Sequence, residues 1–373
     1  LIPADLFDNA LRGFLAPILP FLDDESVTEV LVNGPRQIFI ERRGQLCRTD
    51  AAFDSEEKLV SGLRVVAQYV GRPFDREHPI LEARLPDGSR VQALLPPISP
   101  DGPSVAIRRF SKDKLTLGKL LEFGALTMDA VETLRALVEC KQNIVVAGGT
   151  GSGKTSLLNA LSALVPAGER IVVIEDAREL QLQQEHVVQL ETRPADSRGK
   201  DAITIRDLFK ATLRMRPDRI VLGEIRGGEA LDLIQAMTSG HGGCLTTVHA
   251  SYPVDTLNRL ETLALMGGVD LPLPALRSQL ASAVDVIVQT ARLRGGRRCV
   301  THITEVTGVD PVHGYRLKDL FATIPTRLPD GSTRTELEPT GVIPDCLPLL
   351  QASGFDLPAA VHQAAKRARG GNL

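Results

Sequence analysis

Eight consecutive residues constrain this chain more than any others: Gly148, Gly149, Thr150, Gly151, Ser152, Gly153, Lys154 and Thr155. They satisfy the pattern G-x-x-x-x-G-K-[ST] at every position. Before them, N-I-V-V-A at 143–147 reads as a short buried strand. After them, S-L-L-N-A-L-S-A-L at 156–164 reads as a helix with Leu157, Leu158, Leu161 and Leu164 along one face. Strand, glycine loop and helix, in that order, are what phosphate binding asks of a backbone. Glycines let successive N–H groups curl inward around an anion, and the helix N-terminus adds the positive end of its dipole. Lys154 supplies a mobile charge for the outer phosphates, and the Thr155 hydroxyl is a ligand for Mg²⁺. Gly149, Thr150, Gly151, Ser152, Gly153, Lys154, Thr155 and the following Ser156 are therefore the candidate phosphate contacts.

Around this loop, apolar strands alternate with helices, the strands expected at 144–147, 170–176, 219–224, 244–249 and 284–290. That alternation implies a parallel sheet covered by helices. Ligands of such a sheet sit beyond the carboxyl ends of its strands, so the residues standing there are the ones to read. I-V-V-I-E-D at 171–176 ends in Glu175 and Asp176. Either carboxylate could orient water or reach a Mg²⁺-bound water; the alternative is a cap for the next helix or a partner for Arg178. R-I-V-L-G-E at 219–224 ends in Glu224, with Gly223 where many phosphate-loop enzymes hold the metal through Asp. Glu224 is then expected to bind a metal-ligated water, orient the attacking water, or both. His249 stands at a further strand end, suited to sensing a γ-phosphate or to a strand-end hydrogen bond. His241, Cys244 and His249 also permit a zinc reading, with only three ligands and an uncommon spacing.

Arginines form the last candidate set. Arg108 and Arg109 close the final strand of the N-terminal region, and Arg214, Arg216 and Arg219 fall in L-R-M-R-P-D-R. A guanidinium neutralises transferring phosphate charge in cis or from a neighbouring subunit; the alternative fate is a surface salt bridge.

At 373 residues the chain is too long for one typical domain. We divide it into an N-terminal α+β domain, 1–114, and an α/β domain, 115–373. Residues 1–22 look partly helical, interrupted by Pro17 and Pro20. A strand pair is expected over 27–48, a helix over 55–70, a hairpin over 80–95 turning at Pro86-Asp87-Gly88, and a last strand at 105–110. The polar stretch 111–114 is the expected linker, 194–201 a polar loop, and the tail from about Pro325 is broken by Pro and Gly.

Composition weighs against several function classes. A formal charge of −3, no Trp and three Tyr give no electrostatic or base-stacking ground for nucleic-acid binding. Five scattered cysteines without C-x-x-C fit reduced thiols in a cytosolic protein. No apolar run approaches the 18 or so residues of a membrane span, so no direct membrane insertion is expected. The chain starts at Leu1 without a signal-peptide pattern, which fits an earlier natural start.

Taken in order, the motifs resemble the type II/IV secretion ATPase superfamily, with the nearer likeness to CpaF-type ATPases of tight-adherence (Tad/Flp) pilus assembly. The likeness is carried by V-T-E-V-L-V-N-G-P at 27–35, E-A-R-L-P-D-G-S-R-V at 82–91, I-R-R-F at 107–110, and the phosphate loop. It continues through I-E-D-A-R-E-L-Q-L at 174–182, L-E-T-R-P at 190–194, R-D-L-F-K-A-T-L-R-M-R-P-D-R-I-V-L-G-E-I-R-G-G-E-A at 206–230, and T-T-V-H-A at 246–250. The resemblance covers about 28–309. It implies a RecA-like P-loop domain, with an Asp box at Glu175–Asp176 and a His box at His249, below a smaller N-terminal domain that closes over the nucleotide. It also implies ATP and Mg²⁺ as cofactors, with Thr155 and Glu224 toward the metal, Lys154, Glu224, Glu175, His249, Arg214 and Arg216 toward catalysis, and Arg108 and Arg109 toward nucleotide. The implied assembly is a homo-hexamer in the cytoplasm, held at the inner-membrane face by pilus or secretion platform proteins. The loop H-G-G-C departs from the family, which usually has an acidic residue and a serine near Gly242 and Cys244. The tetracysteine module of the type II branch is absent. Two rival readings are a RecA-like nucleic-acid translocase and a nucleotide-gated scaffold with scarcely any turnover.

Overall fold

The structure is a computed structural model that describes residues 11–42, 44–110, 115–195, 199–293, 296–327 and 333–370. It divides into two compact units: Leu1–Asp113 with Ala195–Ala202, and Lys114–Pro194 with Ile203–Leu373. The expected linker at 111–114 lies outside the described residues, as do residues 196–198 of the expected polar loop.

The first unit is built on one six-stranded antiparallel sheet. Its strands are β1 (Val27–Asn33), β2 (Ile38–Arg42), β3 (Gln45–Arg48), β4 (Ile80–Arg84), β5 (Arg90–Leu94) and β6 (Ser104–Arg108), in the order β3-β2-β1-β6-β5-β4. Alternation decides which face is covered: Val30 and Val32 of β1, Ile38 and Ile40 of β2, and Val105 and Ile107 of β6 all point into one core. Helix Glu56–Tyr69 packs there through Leu59, Leu63 and Val66, its first turn capped by the Ser55 side chain, which accepts from the Lys58 amide at 3.2 Å. The strand pair expected over 27–48 is three strands. All four residues of β3 are exposed, so this edge strand buries nothing and leaves no alternating apolar signal.

The second unit is a nine-stranded mixed sheet. Its strands are β7 (Ile144–Gly148), β8 (Ile171–Glu175), β9 (Val187–Glu191), β10 (Arg219–Leu222), β11 (Leu245–Val248), β12 (Val286–Arg292), β13 (Arg298–Asp310), β14 (Gly314–Arg327) and β15 (Thr333–Pro339). The order is β15-β14-β13-β12-β7-β11-β10-β8-β9. From β9 to β12 all pairings are parallel, whereas β12 to β15 is an antiparallel meander. Every residue of β7, β8, β10 and β11 is buried, because helices cover both faces. Val146 and Val173 enter one core with helices Met128–Glu139 and Lys154–Ser162. Val145 and Val172 enter the other, with helices Ile205–Thr212, Glu229–Thr238, Pro253–Leu265 and Leu273–Ala283.

The expectation of a parallel sheet therefore holds for the strands it named and needs correction beyond them. The tail read as broken at Pro325 continues the sheet: β14 runs to Arg327, and helices Leu347–Ala352 and Ala359–Gly370 follow. Pairing of β14 with β13 ends at Ala322, so Pro325 pairs only with Thr335 of β15, and its missing N–H costs no second ladder bond. No helix among the described residues is long and apolar enough to cross a membrane.

Candidate active site at the strand ends

Sheet order brings the candidate residues together. β7, β11, β10 and β8 are adjacent and parallel, so the residues just past their carboxyl ends share one edge of the sheet. The phosphate loop leaves β7 there, with φ of +68° at Gly151 and +97° at Gly153, torsions that favour glycine. Gly153 is the N-cap of helix Lys154–Ser162, which places Thr155 and Ser156 in its first turn.

Lys154 is buried, and its ammonium donates to the Gly149 carbonyl at 3.1 Å and to the His249 ring, with Nδ1 at 3.3 Å and Nε2 at 3.4 Å. An ammonium has no acceptor lone pair, so the imidazole must accept and be neutral. The titration of His249 agrees: desolvation first, and then the charge of Lys154, hold its pKa below the usual histidine value, with Glu224 opposing.

His249 Nε2 stands 2.7 Å from Glu224 Oε1. With Nδ1 accepting from Lys154, the neutral ring carries its proton on Nε2, which faces this buried and otherwise unpartnered oxygen. Glu224 Oε2 accepts a hydrogen bond from Arg226 Nε at 2.6 Å, and Arg226 Nη2 makes an ion-pair contact with the same oxygen at 2.5 Å. Arg226 reaches on to Asp176 at 3.4 Å. Lys154, His249, Glu224, Arg226 and Asp176 thus form one chain of alternating donors and acceptors across the strand ends.

Glu175 sits beside this chain, almost fully buried. Its Oε1 accepts from the backbone N–H groups of Glu179 at 2.9 Å and Leu180 at 3.0 Å, so it holds the loop after β8. No helix starts there to be capped. The space left by the missing Asp at 223 is filled: a Cβ on Gly223 would stand 2.9 Å from Glu175 Cγ. Gly223 is small because Glu175 leans across it. The Gly223 carbonyl accepts from Thr247 of β11 at 2.7 Å, which fixes the approach to Glu224.

Within the second unit, Arg214, Arg216 and Arg219 stand apart from these strand ends. Arg214 and Arg216 precede β10, whereas Glu224 follows it; both are exposed, and Arg216 pairs with Asp218 at 3.8 Å. Within one chain they lie at the opposite edge of the sheet from the phosphate loop. Arg219 is fully buried and ion-paired with Glu169. In the first unit, Arg108 is exposed, and Arg109 Nη1 donates to the backbone carbonyls of Asp24 and, at 2.8 Å, Val27. The zinc reading fails on geometry. Cys244 and His249 flank a four-residue strand, separating them by roughly 16 Å, and the Cys244 thiol faces the His241 carbonyl at 3.1 Å.

Next to the phosphate loop lies a cavity of about 260 Å³, floored by Ser152, Gly153 and Ser156 and walled by apolar Leu120, Phe123 and Leu157. Reading of the sequence gave no role to Arg226, although it lies two residues past Glu224. Nor did it notice Thr290 and Arg298, which reach the loop from β12 and β13. The run R-L-R-G-G-R-R at 292–298, cationic between two apolar strands, was the available signal.

The match to known proteins is decisive at the level of family. A model described as Type II/IV secretion system protein matches residues 14–313. The chain belongs to that family. Conjugal transfer protein TrbB of Rhizobium radiobacter is 36% identical over 300 residues, covering 79% of this chain and 86% of that protein. Type IV secretion system protein VirB11 of Bartonella quintana is 34% identical over 317 residues, covering 75% and 89%. Among solved structures, the Legionella pneumophila ATPase DotB aligns with a TM-score of 0.55 over 78% of this chain and 79% of that one. At 19% identity this is a likeness of fold: a small N-terminal domain and a RecA-like domain.

Proposed function

We propose that this member of the type II/IV secretion family is the ATP-hydrolysing motor of a secretion or pilus-assembly machine, working with Mg²⁺. The chain is an ATP hydrolase, and the observation that carries the reading is the mostly buried Glu224 carboxylate, held between His249 and Arg226 at the same sheet edge as a phosphate loop. Lys154 exchanges Gly149 and His249 for the outer phosphates of ATP. Thr155 and Glu224 offer hard oxygen donors, which suit Mg²⁺, and the ion would supply neutralisation of phosphate charge. Glu224 takes a proton from water as the water oxygen bonds to the γ-phosphorus. The bridging P–O bond breaks, and ADP leaves with its electrons. The cavity beside Ser156 has room and apolar walls for a nucleoside.

At the finer level the reading is a homo-hexamer of the Tad/Flp type, attached at the cytoplasmic face of the inner membrane through platform proteins. A ring gives Arg214 and Arg216 a use, since their place at the far edge of the sheet suits contact with a neighbouring subunit's nucleotide. Of the N-terminal pair, Arg108 is the freer to reach phosphate. The test is an ATPase assay of the wild type, Lys154→Ala and Glu224→Gln, with and without DNA. It is joined to capture of solubilised membrane partners on Glu224→Gln with ATP. Near-normal turnover in either variant refutes the catalytic reading. Strong stimulation by DNA favours the translocase, and recovery of polytopic pilus or secretion proteins favours the motor.

A further inference from the structure

The phosphate loop leans on two strands that its own sequence pattern does not include. Thr290 of β12 is buried; its hydroxyl donates to the Ala147 carbonyl at 3.0 Å and lies 2.8 Å from Ser152 Oγ. The approach is close enough that a Cβ on Gly148 would stand 2.7 Å from the Thr290 carbonyl and nearer still to its hydroxyl. At the start of β13, Arg298 Nε donates to the Gly151 carbonyl at 2.8 Å. Arg298 Cδ lies 3.7 Å from where a Cβ on Gly153 would be, and Arg292 Nη1 lies 3.8 Å from the corresponding point on Gly151. Both ends of the loop's tightest turn are therefore touched from β12 and β13.

What those contacts hold is the direction of a peptide plane. Gly151 and Gly153 have positive φ and, lacking Cβ, the widest choice of alternatives. In a planar trans peptide the N–H points opposite to the C=O. A donor fixed on the Gly151 carbonyl from outside thereby aims the Ser152 N–H into the hollow of the loop. That N–H reaches the Gly149 carbonyl at 3.4 Å, and Lys154 reaches the same carbonyl at 3.1 Å. Two donors that a phosphate would take are thus parked on one backbone oxygen, with the plane of the nearer one already set.

We propose that Thr290 and Arg298 are positioning residues for the nucleotide, holding the phosphate loop in its anion-ready curl without touching phosphate themselves. The proposal rests on the loop being the phosphate site.

The test uses the full chain with Arg298→Ala, Arg298→Lys and Thr290→Val. Affinity is measured for MgADP and for inorganic tripolyphosphate, the latter by displacement of a fluorescent ADP, alongside thermal midpoints and the amide shifts of Gly151 and Ser152. One lost hydrogen bond corresponds to about a fivefold weakening. The expected result is that Arg298→Ala and Thr290→Val weaken MgADP and tripolyphosphate by the same factor of about five, with the Ser152 amide shifted and little change in the thermal midpoint. Lysine at 298 keeps the charge but not the planar Nε–H, so it should not rescue. Three results overturn the proposal: unchanged affinities, weakened ADP with unchanged tripolyphosphate, or full rescue by lysine. A wild-type chain that binds neither probe would overturn the phosphate site itself, an outcome distinct from failure of the variants.

Discussion

Replacing Arg226 with Ala tests the central array most directly. Arg226 gives Glu224 one hydrogen bond at 2.6 Å and an ion-pair contact at 2.5 Å, and gives Asp176 an ion-pair contact at 3.4 Å. Charge-assisted bonds in a buried setting contribute about 1.5–3 kcal/mol, and exposed ion pairs about 0.2–1 kcal/mol. Here the carboxylate is mostly buried, with 18% of its side chain exposed, while the guanidinium is 58% exposed. The interaction therefore falls between the two classes, at about 1–2 kcal/mol. If Arg226 acts by aiming Glu224 at the attacking water, that loss appears in the barrier as roughly a 5–30-fold fall in turnover. The assay is steady-state ATP hydrolysis by Arg226→Ala, Glu224→Gln and the double variant. A residue that works through Glu224 has nothing left to position once Glu224 no longer accepts the proton, so the double variant should be no slower than Glu224→Gln alone. Arg226→Lys should recover part of the rate through charge. Additive losses in the cycle would refute the reasoning, because they would mean that Arg226 acts independently of Glu224.

Lys154→Ala should lose nucleotide binding or turnover, whereas Glu224→Gln should still bind ATP and hydrolyse it slowly; equilibrium binding and single-turnover assays separate the two. The pKa of His249, read by NMR, should lie below the ordinary histidine value in the wild type, rise in Lys154→Ala and fall further in Glu224→Gln, as the signs of their charges dictate. Burial, and then the neighbouring Glu305 charge, push Asp285 up to about 6 against the pull of the Asn143 amide. A carboxyl that is harder to ionise in the fold than in the unfolded chain destabilises the fold progressively between its unfolded value near 3.8 and about 6, and by a constant amount above that. Denaturation midpoints of the wild type should therefore gain relative to Asp285→Asn as pH falls from 7 toward 4; parallel pH profiles would count against that assignment.

What could be read from the sequence, and what could not, follows from where information is local. The phosphate loop is a backbone device, so its glycines, lysine and threonine must be consecutive. The strands leading to Glu175 and Glu224 are legible because burial on both faces makes I-V-V-I and I-V-L apolar runs, and the strand before His249 is legible through the β-branched residues of L-T-T-V. Strand β3 is not legible, since none of its side chains is buried. Arg214 and Arg216 come just before β10 and Glu224 just after it. They are close in sequence yet stand across the sheet from one another, because a strand carries the chain from one edge to the other. The roles of Thr290 and Arg298 needed the order of strands, β12 beside β7 and β13 beside β12, which no spacing in the chain reveals. Gly223 shows the same limit from the other side. Its sequence position reads as a missing metal ligand, but the structure gives the room to Glu175, a residue 48 positions earlier.

The array also explains why a half-exposed histidine belongs at this edge. A buried Lys154 needs an acceptor, and a carboxylate in that place would hold it in a strong ion pair. A neutral imidazole satisfies the ammonium more weakly, so a phosphate can displace it at lower cost. A phosphate on Lys154 would neutralise the cation that helps depress the titration of His249, while Glu224, which raises it, would remain. The ring's affinity for a proton therefore increases when the loop is filled, at a point 2.7 Å from Glu224 Oε1. Phosphate bound at the end of β7 would in this way be coupled, through Lys154, to the charge state of His249 at the end of β11 and to the Glu224 carboxylate past β10.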